Sequence, residues 1–382
     1  MLIEGAPAVD RFFIIQRGNV KTYHETQIPG LQPQNLGPGD FVGVVPCMTG
    51  LSQNENVFTT SEVTAIVVRR EQYSDLISAN TPVAMKIVRA FARDTRTLND
   101  VLTKLTLKSV NSEGSEQIFS VADYYDNFGY SDIAAYGYYQ YIKANPTGAN
   151  AELAKKRYAS LQKRTHPAYL EPTNDPVRTY PRDTMIFSEG QSGGDLFIIQ
   201  EGSVKISKVI GEKEITLAIL TKGDMFGEMA LLDNKPRSAN AIAHEDCRVM
   251  VVNGSNFGQL ISTQPQMVAR LTTTFSERLW SMYRQIANTQ LSVPRERMID
   301  MLSLEMEKNK INKIGSYQTN LSIIDIINLC GILPQEQYTA EQQFKSDQNI
   351  KIVNGKIFIP NTQALIKQAA FYRKQNSRRL NG

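Results

Sequence analysis

Short runs of alternating apolar and polar residues, broken by glycine-containing turns, fill two separate stretches of the chain. The pattern predicts strands of a compact β-sandwich or β-barrel in each. The two stretches also resemble each other. EGAPAVDRFFIIQRGNVK (Glu4 to Lys21) recurs as EGQSGGDLFIIQEGSVK (Glu189 to Lys205), LGPGDFVGVV (Leu36 to Val45) as LTKGDMFGEM (Leu220 to Met229), and SEVTAIVV (Ser61 to Val68) as HEDCRVMVV (His244 to Val252). The offset stays close to 184 residues, so one domain is present twice.

Each copy runs into a segment with helical periodicity. Pro82 to Leu107 follows the first. Gln266 to Asn288 follows the second, with Met267, Leu271, Phe275, Leu279, Met282 and Ile286 three or four residues apart. Such a stripe lies on one helix face and needs a partner, either the other such helix of the same chain or a second chain in a homodimer. Between the copies, Ala122, Gly129, Ala134, Tyr138 and Pro146 are spaced at 7, 5, 4 and 8. Small residues at several of these places let two antiparallel helices approach closely, and the proline ends the second. Thr165 to Pro181, with four prolines, reads as a linker. After Leu291 the chain turns helix-rich and closes on IKIVNGKIFIP, where Asn354-Gly355 between alternating apolar residues predicts a hairpin.

Composition adds exclusions. With 41% hydrophobic and 21% charged residues in 382, the chain reads as two or three globular domains, not a disordered one. A net charge of +4, 42 cations against 38 anions, does not by itself argue for nucleic acid. Cys47, Cys247 and Cys330 are far apart and odd in number, which suits a reducing compartment and offers no disulfide framework. No apolar run approaches the roughly 20 residues that span a bilayer, and MLIEGAPAVD is not a secretory leader, so a cytoplasmic protein without a membrane partner is expected. His24, His166 and His244 match no triad or metal spacing, and no kinase or cyclase motif is visible, so an enzyme is not expected.

The chemistry concentrates in FGEMALLDNKPRSA (Phe226 to Ala239). Gly227 gives the backbone close approach to a ligand, Glu228 can accept from a sugar hydroxyl, and Met229 to Leu232 can form a short helix with free N–H groups. Arg237 offers a planar fork of donors to a phosphate, and Ser238 and the Ala239 amide add two more. This stretch resembles the phosphate-binding cassette of the cyclic-nucleotide-binding domain family, and the resemblance extends over about Val177 to Asn288. It implies that Glu228 holds the ribose 2′-hydroxyl and Arg237 the cyclic phosphate of cAMP or cGMP. The implied site is Phe226, Gly227, Glu228, Met229, Ala230, Arg237, Ser238 and Ala239, with no metal and no further cofactor. Ser238 stands where the family's cGMP binders more often carry threonine, which favours cAMP.

In the first copy Val44 aligns with Glu228, GLSQNEN replaces the stretch around Arg237, and no lysine or arginine occurs between Lys21 and Arg69. A phosphate buried there would lack a cation apart from His24, which is costly, so this copy keeps the fold and has lost the ligand. It also starts one strand short of the usual family domain, as if the true start lay upstream.

Two further resemblances complete the plan. The segment Gln117 to Lys163 resembles a tetratricopeptide repeat, with AELAKKRYASLQ starting another, and implies a protein partner. A barrel, a long helix, then SIIDIINLCGI (Ser322 to Ile332), PQEQYTAEQQFKSD and the hairpin Ile350 to Ile359 resemble the catabolite activator protein family, whose winged helix-turn-helix binds DNA. Here the recognition position departs from the pattern. No Lys or Arg lies between Ile314 and Phe344, while Asp325, Glu336 and Glu341 are present. Gln335, Gln337, Gln342 and Gln343 could still read adenine edges, leaving phosphate contacts to Lys351, Lys356 and the tail RKQNSRR.

The implied fold class is α+β: residues 1–110 a degenerate cyclic-nucleotide-binding barrel (jelly-roll-like), 115–165 a tetratricopeptide-like helical segment, 166–181 a linker, 182–290 a barrel with an intact cassette, 291–382 a winged-helix-like domain. The function expected is a non-enzymatic sensor that couples cyclic nucleotide to a C-terminal output. A DNA-binding transcription regulator and a scaffold with a vestigial site are the alternatives. Arginine placed at Gln53 alone is expected not to restore binding in the first copy, as titration of that variant with cyclic nucleotide would read.

Overall fold

The run RFFIIQR forms strand β1 (Arg11–Arg17), followed by β2 (Val20–His24), β3 (Asn35–Leu36) and β4 (Phe41–Val42). Gly43, at φ 80°, starts the short helix α1 (Val44–Thr49). After it come β5 (Glu55–Thr59), β6 (Thr64–Arg69), α2 (Tyr73–Ala79) and the long α3 (Thr81–Leu107). The strands form two antiparallel three-stranded sheets, β4-β1-β6 and β3-β2-β5, around Ile15, Val20, Val42 and Val57. The computed structural model describes residues 9–24, 33–52, 55–107, 114–164, 170–311 and 314–381. The chain divides into two units, Met1–Lys108 with Pro265–Gly382, and Ser109–Gln264.

The second unit opens with three helices, α4 (Ser115–Asn127), α5 (Ser131–Ala144) and α6 (Ala151–Leu161). Helices α4 and α5 come so close that a Cβ on Gly137 would lie 2.8 Å from the Ala122 Cβ. Strands β7 (Val177–Tyr180), β8 (Met185–Phe187), β9 (Leu196–Glu201), β10 (Val204–Ile210) and β11 (Lys213–Leu220) follow. Then come β12 (Met225–Phe226), α7 (Glu228–Asp233), β13 (Asn240–Ala243), β14 (Cys247–Val252) and α8 (Gly254–Thr263). Two four-stranded antiparallel sheets result, β11-β10-β13-β8 and β12-β9-β14-β7. The linker read over 166–181 ends early, because Val177 to Tyr180 pair with β14 as an edge strand. Of the linker, residues 165–169 lie outside the described residues.

The two copies share their register. Phe13 pairs with Val42 and Val67 as Phe197 pairs with Phe226 and Val251, and Val20 with Thr59 as Val204 with Ala243. Glycine in the left-handed region caps the short helix of both, Gly43 at φ 80° and Gly227 at φ 78°. A Cβ is disfavoured in that region, so the turn from strand into helix selects glycine.

The first unit resumes with α9 (Pro265–Thr289) and α10 (Pro294–Lys308), then β15 (Tyr317–Gln318), α11 (Ile323–Leu329) and α12 (Pro334–Lys345). Strands β16 (Lys351–Val353) and β17 (Lys356–Ile359) and the helix α13 (Thr362–Asn381) close it. Leu271, Phe275, Leu279, Met282 and Ile286 of α9 are buried, and α9 packs along α3 and against α1, α2 and α10. The stripe thus packs against α3 of the same chain, one of the two partners its spacing allows. The boundary read at 290 shifts accordingly, since α9 belongs to the first unit and the second barrel ends with α8.

Buried polar groups tie α9 to the C-terminal helices. Asp300 is fully buried; Arg284 reaches it at 3.4 Å, Asn288 donates to it at 3.0 Å, and Arg373 of α13 forms a further ion pair with it. Burial works against the charge of Arg284, and Asp300 and Glu307 outweigh it, holding its pKa above the ordinary value. Among the described residues no helix is long and apolar enough to cross a membrane. Asp300→Asn would remove the buried carboxylate shared by Arg373 and Arg284, leaving Arg284 with Glu307 at 3.4 Å. A loss of about 3 kcal/mol or more is expected, read in urea by the fluorescence of Trp280, the single tryptophan, which is buried in this unit.

Candidate functional site

Phe187, Phe197 and Phe226, inward residues of β8, β9 and β12, form an aromatic wall in the second barrel. The Phe197 and Phe226 rings stack at 5.0 Å, and Phe187 lies 5.7 and 5.9 Å from them. Over this wall lies the Arg237 guanidinium, 4.2 Å from the Phe187 ring centre, a cation–π contact in a site from which water is largely excluded. Its Nη1 donates to the carbonyls of Gly227 at 2.7 Å and Asp195 at 2.9 Å. Among the described residues Arg237 forms no ion pair. Burial pulls its pKa down to about 10, against the opposing influence of Asp195, Tyr136 and Glu228. A buried cation without a bound counter-charge is electrostatically poised for an anion.

Glycine is required where the arginine passes. A Cβ on Gly227 would lie 2.8 Å from Arg237 Nη1 and 2.9 Å from the Asp195 carbonyl, and one on Gly193 would lie 3.0 Å from Nη2. Phe226, Glu228, Met229, Ala230 and Ala239 are buried, Glu228 as the first residue of α7. The Ser238 hydroxyl donates to the Met229 sulfur at 3.6 Å. The eight residues read from the sequence therefore surround one strand-to-helix turn and the loop after α7. Phe187, Gly193, Asp195 and Phe197 join them unforeseen as site residues. They lie in or beside EGQSGGDLFIIQ, a segment noticed for its repetition but assigned no contact.

The first barrel differs in charge. Val44, buried, begins α1 where Glu228 begins α7. Shared register puts Glu55 in the place of Ala239, whose amide is one of the expected phosphate donors. Gln53, in the place of Arg237, and the His24 side chain lie outside the described residues. A cavity of about 210 Å³ is lined by Val44, Glu55, Phe91, Asp94, Lys86 and Tyr283, among others. Lys86 is engaged by Asp40 at 3.2 Å and the Gly39 carbonyl at 2.7 Å. Burial, with Asp94 nearby, lifts Glu55 to about 7, and burial lifts Asp94 to about 6 against Arg93. Arg93 lines the cavity too, so two cations stand there beside the carboxylates of Asp40, Glu55 and Asp94.

Comparison with known proteins falls on both barrels. Residues 2–80 and 177–264 match the family model of the cyclic nucleotide-binding domain. The chain is 33% identical over 135 residues to the cyclic AMP receptor protein of Thermus thermophilus, covering 35% of this chain and 56% of that protein. It is 40% identical over 82 residues to a cAMP-dependent protein kinase regulatory subunit of Mycosarcoma maydis, covering 21% of this chain and 16% of that one. It is 25% identical over 186 residues to the cAMP-activated global transcriptional regulator CRP of Salmonella typhimurium, covering 48% and 88%. The chain thus spans little more than half of the first relative and a small part of the second.

The carboxylates of the first cavity give a pH signature. A carboxyl whose pKa is raised by folding binds its proton more tightly in the folded state, so the stability it contributes is present at low pH. That stability is lost as pH rises from about 4.5 through about 7 for Glu55. The urea midpoint followed by Trp280 should fall between pH 5 and pH 7.5, and Glu55→Gln should flatten that slope.

Proposed function

We propose that the protein is a non-enzymatic regulator that binds one cyclic nucleotide, cAMP in preference to cGMP, in its second barrel. The buried Arg237, whose guanidinium donates to two backbone carbonyls and faces two glycines, carries this reading. In it, Arg237 takes the cyclic phosphate, Ser238 and the Ala239 amide add donors, and Glu228 accepts from the ribose 2′-hydroxyl. Phe226, Gly227, Met229 and Ala230 shape the turn. The first barrel remains empty of cyclic nucleotide because a carboxylate stands at its phosphate position.

The output in this reading is the C-terminal segment, a degenerate winged helix-turn-helix used for protein contacts. Helices α11 and α12 are joined through Gly331 at φ 59°, and the sheet β15-β17-β16 follows the wing pattern. The exposed residues of α12 include Gln335, Tyr338, Gln342 and Gln343. Its only cation, Lys345, is paired with Glu341 at 2.6 Å. The tetratricopeptide-like helices are a second surface for a protein partner. Transcription control through DNA is the second reading, favoured by the exposed Lys374, Arg378 and Arg379 on α13. A ligand binding two states with different affinity would shift either output.

Isothermal titration with cAMP and cGMP tests the ligand. Arg237→Ala is expected to weaken binding at least about 30-fold, as loss of a buried charge-assisted contact does. Heat absent with both nucleotides, or affinity unchanged in the variant, refutes the assignment. A salt-dependent mobility shift with ligand would establish the DNA reading in place of the protein one.

A further inference from the structure

We propose that the helical segment α4–α6 is a working part of the second barrel's ligand site, with Tyr136 as the residue that positions Arg237. The inference rests on the reading that Arg237 holds the cyclic phosphate.

The turn Ser188 to Gln191 is the link. On one side it is bonded to the arginine's own backbone: the Arg237 N–H donates to the Gln191 carbonyl at 2.9 Å, and the Gly190 N–H donates to the Arg237 carbonyl at 2.9 Å. On the other side the helices grip it at three successive residues. Gln117 of α4 donates to the Glu189 carboxylate at 3.2 Å. Gly190, at φ 82°, lies so close to the start of α4 that a Cβ on it would meet the Gly114 carbonyl at 2.4 Å. The Tyr136 hydroxyl of α5 shares its proton between Gln191 Oε1 at 3.0 Å and the Ile186 carbonyl at 3.2 Å, and Gln191 Oε1 also accepts from the Ser188 N–H at 3.0 Å. Burial raises the Tyr136 pKa, so the hydroxyl stays a donor.

The grip is anchored by apolar packing. Met185, Val209 and Ile242 of the barrel belong to the same buried cluster as Ile118, Tyr125, Tyr138 and Leu161 of the helices. A free turn at 188–191 would let the Arg237 backbone, and with it the fork, sample several positions. Held from both sides, the fork is set before any ligand arrives, and preorganisation of that kind appears directly in affinity. Linkage makes the coupling reciprocal: whatever loosens α4–α6 weakens the ligand, and the ligand tightens the helices.

Tyr136→Phe deletes only the hydroxyl. In the full chain it is expected to weaken cAMP binding about three- to ten-fold. It should also broaden the Arg237 Nε–H resonance of the ligand-free protein, assigned by its absence in Arg237→Lys. Tyr138→Phe is the control. Its hydroxyl is also on α5 but donates to Asp126 at 3.1 Å and accepts from Arg157 at 2.7 Å, away from the turn. It should leave both readouts unchanged. Equal effects from the two variants, or an unmoved resonance in Tyr136→Phe, would overturn the proposal. Wild-type protein that takes up neither nucleotide would overturn the ligand reading instead, while the arginine resonance still reports on positioning.

Discussion

The second barrel is organised around a buried guanidinium that, among the described residues, has no carboxylate bonded to it. Placing a positive charge in a largely dry cavity is unfavourable unless the surroundings offer fixed dipoles or π-faces. The barrel offers both: the Gly227 and Asp195 carbonyls fix one nitrogen, and the Phe187 face supports the plane. Each support constrains the sequence around it. Gly227, at φ 78° and with backbone 2.9 Å from where a Cβ would stand, must stay glycine, the Phe197 and Phe226 rings stack, and the backbone of Arg237 is bonded to the turn at 188–191.

The two barrels separate fold from site. Their strand registers coincide, and glycine opens the short helix of each, so the requirements of the sandwich are met twice. What differs is a handful of side chains on the same frame: Val44 for Glu228, and Glu55 for Ala239. These exchanges cost the fold little, because Val44 packs in the interior and Glu55 takes up a proton more readily than a surface carboxylate. They move a carboxylate from the start of the short helix to the strand after it. A duplicated domain of this kind carries two different sets of cavity side chains on one strand frame.

Much of this was legible from residue order alone. The repeat, the strands, the two long helices and the turn carrying Arg237 all have local signatures: alternation, helical periodicity, glycine before a short apolar helix. The misjudged features depend on contacts between segments remote in sequence. The edge strand Val177 to Tyr180 hid in a proline-rich run, since only pairing with β14 makes it a strand. The partner of α9 was undecidable from one stripe, because a partner in the same chain and one in another chain require the same apolar spacing. Tyr136 left no signal at all among sixteen tyrosines. Its significance lies in a hydrogen bond across 55 residues of chain.

Helix α9 shows how one periodic pattern can meet several demands. Its apolar stripe is buried within the first unit, while Thr272, Ser276, Arg284 and Asn288 are buried polar positions on the same helix. Thr272 meets the Tyr73 hydroxyl at 2.7 Å, and Arg284 and Asn288 meet Asp300 of α10. An apolar interface alone tolerates sliding by a helical turn with modest loss. Polar partners at both ends of α9 do not, because a shift would strand a buried hydroxyl at one end and a buried carboxylate at the other. The helix therefore has one defined seat on the first barrel and one on the C-terminal helices. A shift at either seat would break buried polar contacts at the other.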